Sequence, residues 1–219
     1  MKKYTHVIWD FNGTILSDMQ AGIDSINTML AARGLPVIAG MEQYRELFDF
    51  PVEAYYRRLG FDFEKEDFKT VLAPEWVALY LQNSKNASLF EGVAPLAASL
   101  RAAGISQSIL SASERDMLVE QLRERGALAL FDEVWGTDTI HAYGKSGLAD
   151  AWRQAHPDAA AVLLGDTVHD FEVACAMGVD CILVAAGHQD RARLAACGVP
   201  VVDALSDCAP LLLCAEAHI

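Results

Sequence analysis

Tyr4-Thr5-His6-Val7-Ile8-Trp9-Asp10-Phe11-Asn12-Gly13-Thr14 is the stretch that decides the reading. Its first six residues are β-prone, and the apolar run Val7-Ile8-Trp9 stops abruptly at Asp10. The glycine-containing turn that follows ends the strand and leaves an acid at the strand's carboxyl end. Such an acid is often only turn chemistry, but in an open parallel sheet that end is where ligands bind. The remainder of the chain decides between the two.

After that turn comes a long helical pattern. Met19, Ile23, Ile26 and Leu30 form one apolar stripe, closed by Gly34 and Pro36. Further helical patterns cover 41–48, 52–59 and 64–82, with no convincing strand between Ser17 and Ser84. From residue 86 the pattern alternates. Helices are predicted at 94–103, from a Ser113/Asp116 capping box to Gly126, at 146–155, and at 170–177 up to Gly178. Strands are predicted at 105–110, 133–135, 160–164, 181–185 and 199–202, where Pro200 suggests a sheet edge. Strands separated by helices of this length imply right-handed crossovers and an α/β, doubly wound parallel sheet. The expected organisation is an α/β core of residues 1–16 and 86–219, interrupted by an all-helical insertion at 17–85.

Composition sets broad limits. The 219 residues suit one substantial domain with a smaller insertion, and a hydrophobic share of 53% with 21% charged residues is that of a globular protein. The 17 basic against 30 acidic residues give a formal charge of −13, which argues against nucleic acid as a partner. No apolar run is long enough to span a membrane, and Val7-Ile8-Trp9 is too short for a signal peptide, so a cytoplasmic location is expected. Cys175, Cys181, Cys197, Cys208 and Cys214 form no C-x-x-C pair and read as reduced thiols, not as a zinc site.

The residues just after each strand make a set. They are Asp10 to Thr14, then Ser111-Ala112-Ser113, Lys145 ahead of a helix, and Gly165-Asp166-Thr167-Val168-His169-Asp170. Each has an ordinary explanation as turn chemistry, a helix cap, a solvated lysine or first-turn acids. Their joint position at one sheet rim has none. Carboxylates beside a cation and a hydroxyl suit phosphoryl transfer, in which Asp10 accepts the group and Mg²⁺ on Asp10 and Asp166 removes the repulsion between anions. Ser111 and Lys145 would hold the equatorial oxygens, and Gly13 permits close backbone approach.

Asp10-Phe11-Asn12-Gly13-Thr14 resembles the first motif of the haloacid dehalogenase superfamily, normally Asp-x-Asp-Gly-Thr. Ser111, Lys145 and Gly165-Asp166-x-x-x-Asp170 match its other three motifs in order and spacing. The helical block after the first motif resembles the cap of the phosphoglycolate phosphatase-like branch. The resemblance implies a Mg²⁺-dependent phosphatase-type hydrolase of a small phosphorylated metabolite, acting through an aspartyl phosphate on Asp10. It implies Asp10, Asn12 and Lys145 as catalytic positions, and Asp10, the Asn12 carbonyl, Asp166 and Asp170 as the metal set, with Asp170 acting through water or by orienting Lys145. Gly13, Thr14, Ser111, Ala112 and Lys145 would contact the phosphate. Specificity is expected around 16–19 and 48–56, and the protein as a monomer or homodimer. Dehalogenation fits less well, because it needs no metal.

One position departs from the pattern. Family phosphatases carry a second Asp where this chain has Asn12, and an amide cannot exchange protons with the leaving group or water. Four readings stay open. The protein is a slow phosphohydrolase, or one for leaving groups such as acyl phosphates that need no protonation. It is a relative of phosphonoacetaldehyde hydrolase using a cap lysine, with Lys65, Lys69 and Lys85 as candidates. It is a catalytically weakened phosphate-binding protein. Or Asn12-Gly13 deamidates to Asp or replaces it by engineering. His141, His169 and His188 read as loop or supporting residues.

Overall fold

The computed structural model describes residues 4–138 and 145–213; His141 and Cys214 lie outside them. The strands are β1 (His6–Trp9), β2 (Ser106–Glu114), β3 (Glu133–Thr137), β4 (Ala161–Gly165), β5 (Asp180–Val184) and β6 (Val201–Val202). They form one parallel sheet in the order β3-β2-β1-β4-β5-β6. β1 is central, with Trp9 paired to Ile109 on one side and Leu164 on the other. The chain moves outward from β1 through β2 and β3, then returns to β4 on the opposite side. The carboxyl ends of β1 and β4 therefore flank the point where strand order reverses.

Alternation along each strand sorts side chains onto two covered faces. Val7, Trp9, Ile109, Leu164 and Ile182 pack on one face with α5 (Val93–Ala102) and α6 (Arg115–Glu124). Ile8, Leu110, Leu163 and Leu183 pack on the other with α7 (Ser146–Ala155), α8 (Val168–Met177) and α9 (Arg191–Ala195). Trp152 and Leu163 are essentially inaccessible there. The short α10 (Ala209–Leu213) adds Leu212 to the first face.

A third cluster belongs to the helical region. It joins Met19, Ile23, Ile26 and Leu30 of α1 (Met19–Ala32) to Tyr44 of α2 (Met41–Leu47) and Tyr55 and Tyr56 of α3 (Val52–Arg58). Phe68 and Leu72 of a π-helical turn (Phe68–Leu72) and Ala73, the first residue of α4 (Ala73–Asn83), complete it. α1 ends as its sequence indicates: Gly34 takes φ +65° and Leu35 N–H returns to Leu30 O at 2.9 Å. The two connections to the sheet run side by side, with Ser17 N–H bonded to Ser88 O at 2.9 Å and Phe90 N–H to Ile15 O at 2.9 Å.

Three expectations need correction. The helix expected at 64–82 begins at Phe68 with a π-turn, because Asp67 accepts from Lys69 N–H and Thr70 N–H. Strand β2 continues past Leu110 to Glu114 through a register shift against β3. In consequence Glu114, not Ser113, caps α6, accepting from Asp116 N–H and Met117 N–H. No described helix is long and apolar enough to cross a membrane.

Leu163→Ala should lower unfolding free energy by about 2–5 kcal/mol through transfer and cavity costs. Val37→Ala, at a side chain half exposed, should stay within about 0.5 kcal/mol. Urea titrations of the two variants check this contrast.

Candidate active site

Asp10 follows β1 directly, and its N–H still bonds Leu164 O at 2.8 Å, so β4 fixes its backbone. The next residues fold into a tight turn, with Ile15 N–H and Leu16 N–H both on Phe11 O. Gly13 takes φ +78°, and a Cβ there would lie 2.3 Å from Asp166 Oδ2. Only glycine combines that conformation with that approach. Thr14 Oγ1 donates to Asp166 Oδ1 at 3.2 Å.

Asp10, Lys145 and Asp170 are all buried, and Lys145 Nζ bridges the two carboxylates, donating to Asp10 Oδ1 and, at 2.6 Å, to Asp170 Oδ1. Asp170 sits in the first turn of α8, where it completes a capping box with Thr167. Its other oxygen accepts from Thr167 Oγ1 at 2.7 Å, Thr167 N–H at 3.0 Å and Asp166 N–H at 3.2 Å. Asp166 Oδ2 accepts from His188 N–H at 2.6 Å.

Burial dominates the site's electrostatics. It pushes Asp10 well above the ordinary carboxylate range, with Lys145 opposing. Burial likewise pushes Asp166 up to about 6, with His188 opposing. Asp170 feels the same burial, but Lys145 outweighs it and holds this carboxyl low. Burial works against the Lys145 charge too, and Asp10 and Asp170 overcome it, so the ammonium persists.

The Lys145 ammonium thus bridges two of three buried carboxylates, each of which brings one oxygen within 4.8 Å of the others. A hard divalent cation fits this donor set in both charge and ligand type. Asp166 accepts one hydrogen bond on each oxygen, whereas Asp170 accepts Lys145 on one oxygen and three donors on the other, so Asp10 and Asp166 are the less committed ligands.

The Asn12 side chain is fully engaged. Its Nδ2 donates to Asp18 Oδ2 and Tyr80 Oη, each at 2.7 Å, while Oδ1 accepts from Ser113 Oγ at 2.9 Å. Tyr80 Oη donates to Asp18 Oδ2 at 2.6 Å, and Gly13 N–H reaches Asp18 Oδ1 at 2.9 Å. This pocket is built for an amide, because a carboxylate at position 12 would face Asp18. The Gly13 nitrogen, which deamidation would need as nucleophile, is tied to Leu16 O and Asp18.

One pocket over the sheet end is lined by Asp10, Asn12, Ser111, Ala112, Lys145, Asp166 and Asp170, uniting the expected strand-end groups. Ser111 is buried, and its Oγ accepts from Ser113 N–H at 3.1 Å. Phe48, Phe50, Val52, Tyr55 and Tyr56 line the pocket as the 48–56 expectation requires, joined by Phe68, Trp76 and Tyr80 from outside that range. Lys65, Lys69 and Lys85 are not among the described residues that line it.

Sequence reasoning missed Asp18, Tyr80 and the paired state of His188. Asp18 stands at the N-cap of α1 yet makes no capping hydrogen bond, so its position reads as an ordinary cap. Its charge is met by His188 Nε2 at 3.6 Å. Burial works against Asp18, but His188, Tyr80 and Asn12 hold it low. Burial also opposes the His188 charge, and Asp18 and Asp166 push that imidazole up to about 9. Tyr44 Oη lies 2.7 Å from its Nδ1.

The model of haloacid dehalogenase-like hydrolases matches residues 7–184. The chain belongs to that family. Among similar proteins is the tyrosine-protein kinase PtkA of Mycobacterium tuberculosis, 27% identical over 186 residues, 83% of this chain. The chain spans 62% of the length of that curated relative. Phosphoglycolate phosphatase of Synechococcus elongatus is 27% identical over 210 residues, covering 92% of this chain and 93% of that one. The structure of M. tuberculosis PtkA superimposes with a TM-score of 0.79 at 25% identity, covering 98% of this chain and 100% of the other. A family member from Streptococcus pneumoniae gives 0.77 at 17% identity, covering 94% and 97%, and shows the shared fold.

Two consequences are measurable. The raised Asp166 pKa favours its protonated form in the fold, so its stabilising contribution is complete below the unfolded value of 3.8 and fades as pH rises through about 6. Mg²⁺ should therefore raise the thermal midpoint clearly at about pH 7.5 and far less at about pH 5, and Asp166→Asn should lose most of that gain. Asn12→Asp alone should destabilise by about 1–3 kcal/mol near pH 8 and less near pH 5, where the carboxyl pair shares a proton. Adding Asp18→Asn should recover the loss, as chemical denaturation at the two pH values would show.

Proposed function

We propose that this protein is a Mg²⁺-dependent phosphohydrolase that takes the phosphoryl group of a small phosphorylated molecule onto Asp10. The observation that carries this reading is the buried Asp10–Lys145–Asp170 ion set beside Asp166 at the strand-order reversal. A carboxylate nucleophile with a fixed ammonium and a metal-ready acid beside it is the equipment of phosphoryl transfer to a carboxylate. The phosphatase named among the relatives supports the same reaction class.

In the first step an Asp10 oxygen forms a bond to phosphorus while the bond to the leaving oxygen breaks, its electron pair departing with that oxygen. Lys145 holds Asp10 in line and neutralises charge on the transferring group. Ser111 and Ala112 line the pocket and would hold the phosphate, together with the Gly13–Thr14 turn beside them. Mg²⁺ held by Asp10, Asp166 and the Asn12 carbonyl would supply the positive charge that lets two anions meet. The helical region, residues 17–85, serves as a cap over this site. Arg45 joins the two parts by donating to Gly187 O at 2.8 Å and Ala186 O at 2.6 Å.

The second step needs a base for water, and Asn12 cannot serve. Hydrolysis of the aspartyl phosphate is accordingly the slow step. The kinase name of the mycobacterial relative supports a second reading, transfer of the phosphoryl group to another acceptor hydroxyl, which would need a base other than Asn12 just as water does.

Rapid quenching with 4-nitrophenyl phosphate and Mg²⁺ should give a burst of nitrophenolate stoichiometric with enzyme, then slow turnover, with one phosphoryl group on the acid-quenched protein. Asp10→Asn should abolish both phases. Asn12→Asp combined with Asp18→Asn should speed the slow phase by about 10²-fold, the lower end of what general acid–base catalysis supplies. A linear time course with no phosphoprotein would overturn the mechanism.

A further inference from the structure

Two independent features of the pocket constrain the leaving group. The first is its wall. Above the carboxylates it is aromatic: Phe48, Phe50 and Trp76 are half-buried, and Tyr55 and Tyr80 are buried beside them. These rings are held in place by stacking. Phe48 lies on His188 with centroids 4.8 Å apart, Phe50 on His169 at 4.6 Å, and Trp76 on Tyr80 at 4.8 Å. A wall of rings already fixed by stacking offers a flat apolar group a surface at little ordering cost.

The charges in the lining point the same way. Lys145 is the only lysine or arginine there among the described residues, and Asp10 and Asp170 already occupy it. His188 is matched by Asp18, and Glu114 adds a further acid to the lining. His169 also lines the pocket, with its Nδ1 3.5 Å from Glu172 and its Nε2 without a hydrogen-bond partner among the described residues. A leaving group bearing its own carboxylate, as phosphoglycolate does, finds no unengaged lysine or arginine among the described lining residues and would meet like charge.

The second feature is Asn12. With its amide fixed between Asp18, Tyr80 and Ser113, position 12 has no proton to give to a departing oxygen. An alkanol, close to water with a pKa of about 15.7, needs that proton. A phenol, with a pKa of about 10, leaves as the phenolate without it.

Resting on the phosphoryl transfer proposed above, we infer that the substrate is an aryl phosphate whose ring packs on the wall formed by Phe48, Phe50 and Trp76. The Asp10 oxygen–phosphorus bond forms, the aryl oxygen–phosphorus bond breaks, and the electron pair leaves on the phenolate, which takes its proton from solvent. The ring belongs to a free metabolite or to a tyrosyl side chain, which share this chemistry.

The test measures the rate of Asp10 phosphorylation in the full chain with Mg²⁺, using phenyl phosphate, 2-phenylethyl phosphate, phosphoglycolate and acetyl phosphate as donors. Phenyl phosphate should exceed phosphoglycolate by about 10²-fold or more, the scale of a missing general acid. The phenylethyl ester, aromatic but with an alkanol leaving group, should compete for binding yet phosphorylate slowly. Trp76→Leu and Phe48→Leu should shrink the phenyl-to-phosphoglycolate ratio through KM, and Trp76→Phe should largely restore it. Phosphoglycolate matching or beating phenyl phosphate on the unmodified chain overturns the inference and leaves the phosphoryl-transfer reading intact. No phosphorylation from any donor, acetyl phosphate included, overturns both. Phenyl phosphate outpacing a phosphotyrosyl peptide supports a metabolite, and the reverse order supports a protein-borne ring.

Discussion

Three carboxylates and one ammonium share a buried volume at the end of β1 and β4, and the rest of the structure is arranged around that imbalance. Burying charge is costly, and Lys145 offsets only part of it. Burial lifts Asp10 and Asp166, while Asp170 stays low because Lys145, with Thr167, outweighs its burial. The residual negative charge is the electrostatic condition that favours a divalent cation and, through it, a phosphate. The backbone conforms to the same demand. A Cβ on Gly165 would lie 2.4 Å from the Asp170 carboxyl, and one on Gly187 would lie 2.1 Å from Asp166 Oδ2. Larger residues there would displace the acids that define the site.

Asn12 connects this charge cluster to the helical region. Its amide is answered by Asp18 at the start of α1, Tyr80 on α4 and Ser113 at the end of β2. The first motif is thus bonded to both parts of the molecule, so changing its side chain alters more than proton transfer. Asp18 in turn is bound to His188, whose backbone N–H holds Asp166. A residue that looks like a defect when set against a motif is, in its surroundings, a fitted part. Its partners accept an amide and would oppose a second carboxylate.

The sheet was legible because parallel strands buried on both faces leave short apolar runs, and β1, β4 and β5 have them. α1 was legible from its stripe and Gly34. The start of α6 was not, since Ser113 and Glu114 are both competent caps and only the bulge that prolongs β2 selects Glu114. The 64–82 pattern hid a π-turn because periodicity does not separate winding types over five residues.

Asp10, Ser111, Lys145, Asp166 and Asp170 were determined by the sequence alone, since each is tied to the end of a strand or the start of a helix, and local order in an α/β chain maps directly onto one rim of the sheet. Asp18, Tyr80, His188 and the aromatic wall were decided only by tertiary structure. They come from segments far apart in the chain, and no local periodicity or spacing records which of them will meet Asn12. The contacts that hold its amide are made only when the helical region packs over the sheet.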